Sequence, residues 1–320
     1  MMLLLAILIL IFVVCLYIYR SVFYMPRHNR PTSDVPLRGD QYEAVAPYIY
    51  RMAHAMARYP FEPITIRSFD NITLYGRYYH KSEGAPLIIL FHGYRSHPYR
   101  DCCGAHGLAL RLGFNVLAVD QRAHGDSGGS TITFGIRERH DCLRWAEYAS
   151  HRFGSRTPII LSGLSMGAAT VLMAAQLNLP DNVCCIIADS PYSAPSAIIE
   201  KVGADRHYPV PLCRPFLHLT AWLFGGFFLN SSTAKESVRN ARIPVLLLHG
   251  EDDRMVPSTM SLEIAACCAS RVHLVTFPGA GHGLCYLTDP ERYERVIYEF
   301  LSSIPELTGR INLDFPDLSD

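Results

Sequence analysis

The sequence predicts an α/β protein with a mostly parallel sheet of eight strands and helices on both faces. Two observations support this fold class. Short apolar runs alternate with segments of helical periodicity, and continuous runs of this length are typical of buried parallel strands. Ahead of them, alternating polar and apolar residues predict a hairpin. The runs are Leu87–Phe91, Val116–Val119, Ile159–Leu161, Val183–Ile187, Val245–Leu248 and Val272–Phe277.

The first element is an apolar segment. Its 19 residues, MMLLLAILILIFVVCLYIY, contain no charged side chain. As a helix it would extend about 28 Å, close to the hydrocarbon thickness of a bilayer. The alternative is a cleaved signal peptide, but no basic region precedes the run and no small-x-small cleavage pattern follows it, so we predict a single-pass anchor over residues 1–20. Arg20, Arg27 and Arg30 follow the span, which predicts a cytoplasmic body.

A juxtamembrane segment is predicted over residues 21–59, with one helix where apolar residues recur at helical spacing. The hairpin follows in PITIRSF and ITLYGRYYH, with a turn between them. The clearest helix is the last, where Asp289 can cap and Pro290 suits the first turn. We assign residues 60–305 to one globular domain and residues 306–320 to a C-terminal tail.

The composition of the chain limits which classes of partner it is expected to bind. The chain has 320 residues, of which 49% are hydrophobic, with 29 basic and 29 acidic side chains and a formal net charge of zero. Because no broad positive field attracts a polyanion, we expect no nucleic-acid partner. Six of the ten cysteines form adjacent pairs, whose side chains diverge too far for disulfide geometry. We therefore expect the cysteines to be reduced and mostly buried.

A candidate nucleophile lies in Gly163-Leu164-Ser165-Met166-Gly167. This stretch follows the strand at Ile159–Leu161 and opens a helix, which is the strand-turn-helix context of a nucleophile elbow. The glycines fit because the strained turn that exposes the serine hydroxyl leaves no room for neighbouring side chains. A glycine-rich helix start without catalytic function is the alternative.

A serine hydroxyl needs a base to accept its proton and a carboxylate to orient that base. In the order Ser, acid, His, the stretch PVLLLHGEDDRMVP places Asp253 after one strand, and FPGAGHG places His282 after the next. Glu251 and Asp252 adjoin Asp253, so the acid is chosen from three neighbours. Three other histidines beside strand ends are expected to brace loops by hydrogen bonds: His92, His124 and His249.

The negative charge that develops in acyl transfer requires backbone N–H donors. One is expected from Met166, the residue after the nucleophile. The second is expected from Tyr94 in LIILFHGYRSH, where Gly93 allows close approach of the backbone.

Together these stretches resemble the serine α/β-hydrolase superfamily, and within it the membrane-anchored bacterial members similar to prolyl-oligopeptidase and serine-aminopeptidase catalytic domains. The resemblance spans about residues 60–305. It implies that Asp253 is the triad acid, because Asp253 matches the acid of H-G-x-x-D-x-x-V-P, and that Asp120 and Arg122 are structural. Ala123 departs from the family, which usually has glycine there. The resemblance is carried by FHGYRSH, NVLAVDQRAHGDSGGSTITFGIRERHD, ILSGLSMGAAT, IIADSPYS, IPVLLLHGEDDRMVP and GAGHG.

The resemblance also implies a small helical cap at about residues 191–242. Its segment Phe216–Leu229, FLHLTAWLFGGFFL, is strongly apolar but too short and too broken by glycine to span a bilayer. Trp222 and Phe224 are candidate substrate-binding residues in an acyl pocket. The alternatives are that this segment presses on the nearby membrane or packs the cap onto the core.

The sequence thus predicts a serine hydrolase that cleaves an acyl bond, with a carboxylic ester favoured, through an acyl-enzyme. The mechanism requires no metal or organic cofactor. The expected substrate is a small-molecule or lipid-like acyl compound, and the membrane is a partner through the N-terminal helix. A peptidase or thioesterase with the same triad is the alternative, and a non-catalytic, membrane-tethered binding protein of the same fold is a third possibility.

Overall fold

The computed structural model describes residues 1–31, 39–268 and 271–312, and these contain one sheet of eight strands in the order β1-β2-β4-β3-β5-β6-β7-β8. β1 pairs with β2, and β2 with β4, in antiparallel fashion; every other pair is parallel. The predicted fold class, with its initial hairpin, is confirmed. The strands are β1 Glu62–Arg67, β2 Thr73–Tyr79, β3 Leu87–Phe91, β4 Asn115–Asp120, β5 Ile159–Leu164, β6 Val183–Asp189, β7 Val245–Gly250 and β8 Val272–Phe277.

The central strands are apolar along their length because both faces of the sheet are covered. Every residue of β3, β4, β6 and β7 is buried. α3, α5 and α13 pack on one face, and α6, α7, α10 and α11 pack on the other. The helices are α1 Met2–Ile18, α2 Asp40–Glu43, α3 Ala46–Arg58, α4 Pro98–Asp101, α5 Cys103–Arg111, α6 Glu138–Phe153, α7 Met166–Ala174, α8 Pro195–Asp205, α9 Val210–Leu223, α10 Ala234–Ser237, α11 Thr259–Ala265, α12 Cys285–Thr288 and α13 Pro290–Ser302.

The N-terminal apolar segment is helical. α1 continues into a π-helical turn, and the combined helix Met2–Phe23 has 22 residues, which is long and apolar enough to cross a membrane. Its second half packs against α9, one of the helices inserted between β6 and β7. There, Thr220 Oγ1 donates a hydrogen bond to the carbonyl oxygen of Cys15 over 3.2 Å. The helix is therefore partly integrated into the cap.

The chain after α1 is tied to the globular body. Phe23 and Met25 are buried, and Met25 N donates to Ser130 O over 2.8 Å. The Arg30 guanidinium donates to carbonyl oxygens of the loop 125–129. The helix predicted in the juxtamembrane segment is α3, and it packs onto the body by burying Ile49, Ala53 and Met56. Residues 32–38 of that segment, and 313–320 of the predicted tail, lie outside the described residues.

Asp120 and Arg122 hold the end of β4. Arg77 Nη1 lies 2.8 Å from Asp120 Oδ1, and Arg122 Nε lies 2.6 Å from Asp141 Oδ2, with both arginines buried. Ala123 has φ 62°, a left-handed conformation that glycine adopts without strain. The departure from the family pattern thus falls at a position where a side chain strains the backbone. All ten cysteines are free, and seven are buried.

Candidate active site

Ser165 lies in the turn between β5 and α7 and has φ 55° and ψ −112°. A non-glycine residue with positive φ is uncommon, and such strain is concentrated at functional sites. The turn is held on both sides: Ser165 N donates to Asp189 O over 2.8 Å, and Ala169 N donates to Ser165 O over 2.9 Å. The strand, the strained serine and the helix together form the geometry of a nucleophile elbow.

The glycines of the elbow are required by close backbone packing. A Cβ on Gly163 would lie closer than 3.0 Å to the backbone of Gly167, and a Cβ on Gly167 would lie closer than 3.0 Å to the carbonyl of Phe91. Phe91 ends β3, which pairs with β5 so that Phe91 is opposite Gly163. The register of the two strands therefore brings their carboxyl ends together and leaves no space for side chains beside Ser165.

Gly167→Ala is expected to destabilise the protein by about 3 kcal/mol, because the added methyl group meets backbone that cannot rotate away. The midpoint of thermal unfolding in detergent should fall by about 6 °C or more. The matched control is Gly107→Ala in α5, where the nearest atom to the added Cβ is 3.8 Å away. That variant should keep or raise the midpoint, since alanine favours helix. Equal midpoints for the two variants would contradict this account of the elbow.

The structure brings His282 and Asp253 together. His282 Nδ1 lies 2.7 Å from Asp253 Oδ2, and both side chains are buried. The other carboxylate oxygen, Oδ1, accepts the backbone N–H groups of Met255 at 2.9 Å and Val256 at 2.8 Å. The neighbouring acidic residues, Glu251 and Asp252, are exposed. Of the three candidate acids, Asp253 is thus the one whose carboxylate can orient the imidazole.

A second histidine supports the same carboxylate. His249 Nε2 lies 3.3 Å from Asp253 Oδ2 and 2.8 Å from Val256 O, while its Nδ1 lies 2.6 Å from Ser261 Oγ. A neutral ring protonated on Nε2 satisfies all three contacts, with the serine hydroxyl donating to Nδ1. Burial would raise the pKa of Asp253, but hydrogen bonds from His249 and His282 outweigh it and the pKa is lowered.

The loop after β3 places the predicted second oxyanion donor beside the nucleophile. A Cβ on Gly93 would be 3.5 Å from Ser165 Cβ, so the backbone of this loop passes close to the serine. Gly93 N donates to the buried carboxylate of Asp101 over 2.7 Å, which fixes the loop. Among the described residues, the amide of Tyr94 donates to no protein acceptor. Met166 is the first residue of α7, where amides have no intrahelical partner.

The remaining strand-end histidines brace loops. His92 Nδ1 lies 2.8 Å from Gly93 O, and its Nε2 accepts the Gln121 amide at 3.1 Å. His124 Nε2 accepts the Arg95 amide at 2.9 Å. Both rings are buried, and burial lowers the pKa of each. They are therefore neutral side chains that hold the loop carrying Tyr94.

A cavity of about 530 Å³ opens at Ser165 and His282, both of which line it. This volume falls in the range of small-molecule sites, about 300–1,000 Å³. Within the described ranges, no group of three or more His, Cys, Asp or Glu side chains is placed to hold a metal ion. Much of the wall is aliphatic or aromatic, with contributions from Ile49, Met52, Leu90, Phe91, Leu284 and Leu287.

The segment before β1 contributes to the site in a way that sequence reasoning missed. Ile49 and Met52 of α3 line the cavity, as does Tyr42 of α2. Gln41 Oε1 accepts the His282 amide at 3.1 Å, and the Tyr42 hydroxyl donates to His282 O over 3.1 Å. The helical spacing in α3 indicated a buried face, but no motif in the sequence indicated that this face lines the cavity at His282.

Trp222 and Phe224 are placed elsewhere. Trp222 is exposed on the surface of α9, and the Phe224 ring packs against Phe12 at 5.3 Å and Tyr19 at 5.7 Å between centroids. Neither residue is part of the cavity wall described above. The geometry therefore does not support a substrate-binding role for them, and favours contact between the cap and α1.

Comparison with known proteins identifies the family. The model of the alpha/beta hydrolase family matches residues 88–296. The uncharacterized protein YqkD of Bacillus subtilis is 27% identical over 222 residues, covering 69% of this chain and 72% of YqkD. A monoacylglycerol lipase of Mycolicibacterium smegmatis is 26% identical over 239 residues, covering 64% of this chain and 83% of the lipase.

Solved structures agree at the level of the fold. An esterase of Pyrococcus furiosus superposes with a TM-score of 0.64 at 22% identity, covering 86% of this chain and 97% of the esterase. The narrower resemblance to prolyl-oligopeptidase and serine-aminopeptidase domains stays a prediction. The family model covers well over half of the 320 residues, and the fold agrees with it. The chain therefore belongs to the alpha/beta hydrolase family.

Proposed function

We propose that the protein is a serine hydrolase that cleaves the acyl bond of a carboxylic ester. Ser165 attacks the carbonyl carbon, His282 accepts the serine proton and returns it to the leaving alcohol, and Asp253 orients the imidazole. The amides of Met166 and Tyr94 stabilise the oxyanion. Water then attacks the acyl-enzyme by the same route, releasing the acid and restoring Ser165.

The observation that carries this proposal is the hydrogen bond of 2.7 Å that Asp253 makes with His282, which lines the same cavity as Ser165. An Asp253 carboxylate that accepts a hydrogen bond from the Nδ1–H group keeps the ring proton on Nδ1, which leaves Nε2 unprotonated and able to act as base. The strained backbone of Ser165 adds support, because it presents the hydroxyl to the cavity.

The cavity wall favours an acyl chain as the group that is bound. Aliphatic side chains from α3, β3 and the region after His282 surround the space beside Ser165. The names of two relatives, a lipase and an esterase, are consistent with ester substrates. We therefore infer a lipid-like ester with an apolar acyl group as the substrate class.

We also propose that α1 anchors the protein as a single-pass membrane helix. The helix Met2–Phe23 has the length and composition to span a bilayer. Arg20 lies in its last turn, and Arg27 and Arg30 follow it, which favours a catalytic domain on the cytoplasmic side.

Hydrolysis of p-nitrophenyl esters from acetyl to decanoyl tests the substrate class. Each added CH₂ that is buried in the cavity contributes about 0.8 kcal/mol, so kcat/KM should rise roughly fourfold per carbon until the cavity is full. Met52→Ser should lower kcat/KM for the long esters and leave the acetyl ester nearly unchanged. Ala55→Ser, on the exposed face of α3, is the matched control and should behave as wild type.

Two results would overturn the assignment. If kcat/KM did not change with acyl chain length, the cavity would not be the binding site of the acyl chain. Faster turnover of an amide than of the ester with the same acyl group would favour the peptidase alternative, and the matched thioester tests the thioesterase alternative in the same assay.

A further inference from the structure

The cap helix α9 carries an exposed apolar face. Leu212, Trp222 and Leu223 are 70%, 53% and 48% exposed, and Phe228, shortly after the helix, is 68% exposed. Exposed apolar side chains that are grouped in this way mark interaction surfaces rather than ordinary protein surface. The outward face of α9 is therefore an unexplained apolar surface next to α1.

Few charged groups interrupt this face. Arg214 is exposed on α9, but its guanidinium pairs with Glu200 of α8 at 2.6 Å. His218 is the other exposed titratable side chain of the helix. An ion pair at the edge and one histidine are compatible with the headgroup boundary of a bilayer, where polar tips reach water while apolar stems stay buried.

The opposite face of α9 packs on α1. Leu217, Thr220 and Ala221 are buried there, and Thr220 bonds to the carbonyl of Cys15. Three aromatic rings extend the contact, with Phe224 lying between Phe12 and Tyr19. Phe12 and Cys15 belong to the second half of α1, and Tyr19 begins the π-helical turn that continues it.

The length of α1 indicates whether the contact between α1 and α9 lies within the bilayer. Residues 2–10 are exposed on all sides and Ile11 is the first partly covered residue, so the free part of the helix is about 14 Å long. The hydrocarbon core of a bilayer is about 30 Å thick. A helix that spans it must therefore also use residues 11 to 19, and the first charged side chain, Arg20, comes only after them. Phe12, Cys15 and Tyr19, which make the contacts with α9 and Phe224, are among these residues.

We propose that α9 and Phe228 are inserted into the bilayer beside α1, with lipid acyl chains covering the apolar face. The cap then contacts the hydrocarbon through Leu212, Trp222, Leu223 and Phe228. This proposal rests on the proposed membrane anchor and not on the proposed catalysis. The partner is the lipid itself, because the apolar face of α9 lies beside α1, whose length and composition suit a bilayer.

The proposal places the active site next to the lipid interface. The Tyr94 hydroxyl donates to Val22 O over 2.7 Å, and Arg95 Nη2 donates to Ser21 O and Tyr24 O over 3.0 and 3.1 Å. Tyr94 and Arg95 line the cavity at Ser165. The chain at the base of the anchor thus bonds directly to two residues of the cavity wall. An ester in the same leaflet therefore lies close to the site without leaving the membrane.

Tryptophan fluorescence tests the insertion directly, since the chain has two tryptophans and Trp145 is 1% exposed. The full chain is reconstituted into phosphatidylcholine vesicles, with or without dibrominated acyl chains. The difference in emission between wild type and Trp222→Phe isolates Trp222. We expect brominated lipid to reduce that difference to less than half, while iodide in the water leaves it nearly unchanged.

The matched control is Leu262→Trp in the Trp222→Phe background. Leu262 is 55% exposed on α11, outside the cap, so the new tryptophan should be quenched by iodide and not by brominated lipid. The same response of Trp222 would overturn the proposal. Protection of Trp222 from both quenchers would also overturn it, because a protein surface would then cover the face. Ser165→Ala protein should give the wild-type result, so failure of the catalytic proposal leaves this test intact.

Discussion

Ser165→Ala is expected to lower kcat for ester hydrolysis by about 10⁶-fold with no loss of folded protein. The hydroxyl is the only group removed, and without it no acyl-enzyme forms even though His282 and Asp253 remain paired. The measurement is turnover of a soluble p-nitrophenyl ester by purified protein, together with the midpoint of thermal unfolding. Labelling by a fluorophosphonate probe, located by peptide mass spectrometry, should disappear in the same variant.

The control for this variant is Ser155→Ala, at an exposed serine in the turn after α6. It should retain both turnover and labelling. Near-normal hydrolysis by Ser165→Ala protein would refute the nucleophile assignment. A folded wild-type protein that takes no adduct on Ser165 would favour the third possibility, a binding protein that keeps the fold without the chemistry.

Asp253→Asn is expected to lower kcat by about 10⁴-fold, because the carboxamide imposes the wrong protonation on His282. The oxygen at Oδ1 accepts two backbone amides, at 2.9 and 2.8 Å, so the amide oxygen of asparagine should take that place. Its NH₂ group then faces His282 Nδ1, which must accept. The ring keeps its proton on Nε2 and cannot take one from Ser165. Turnover of the soluble ester measures the loss.

The matched control is Asp252→Asn, one residue earlier, where the side chain is exposed. Its kcat should stay within about twofold of wild type, because exposed charges contribute little. Equal losses in the two variants would mean that charge in this loop, and not orientation of the imidazole, is what matters. The pKa of Asp253 is lowered, so it titrates below the ordinary carboxyl value of about 3.9. A loss of activity on acidification nearer neutrality must therefore come from another group.

The fold could be predicted because strands that are buried on both faces of a parallel sheet appear in the sequence as short continuous apolar runs. β3 and β8 begin and end where their apolar runs do. The position of the candidate triad followed from the same reasoning, since the carboxyl ends of parallel strands meet at one edge. Asp253 and His282 come from loops after adjacent strands, β7 and β8, which explains why two residues 29 positions apart are in contact.

The contribution of the segment before β1 could not be predicted. An amphipathic helix indicates that one face is buried, but not which surface covers it. Ile49 and Met52 of α3 line the same cavity as His282, and Gln41 of α2 accepts the His282 amide, which comes more than 200 residues later in the chain. The surroundings of Trp222 and Phe224 could not be predicted for the same reason. Their apolar character fits a substrate pocket, a core or a membrane surface equally well, and only the packing of α9 against α1 separates these.

The tight packing of Gly163 and Gly167 also limits how the proposed activity could be lost in evolution. Because the main chains of three neighbouring segments meet at this turn, its shape cannot drift gradually without loss of the folded state. A pseudoenzyme descended from this chain would retain the turn and differ in the side chains that the turn brings together. Inactive descendants should therefore be recognised by which residues stand at positions 165, 253 and 282, and not by superposition of their backbones.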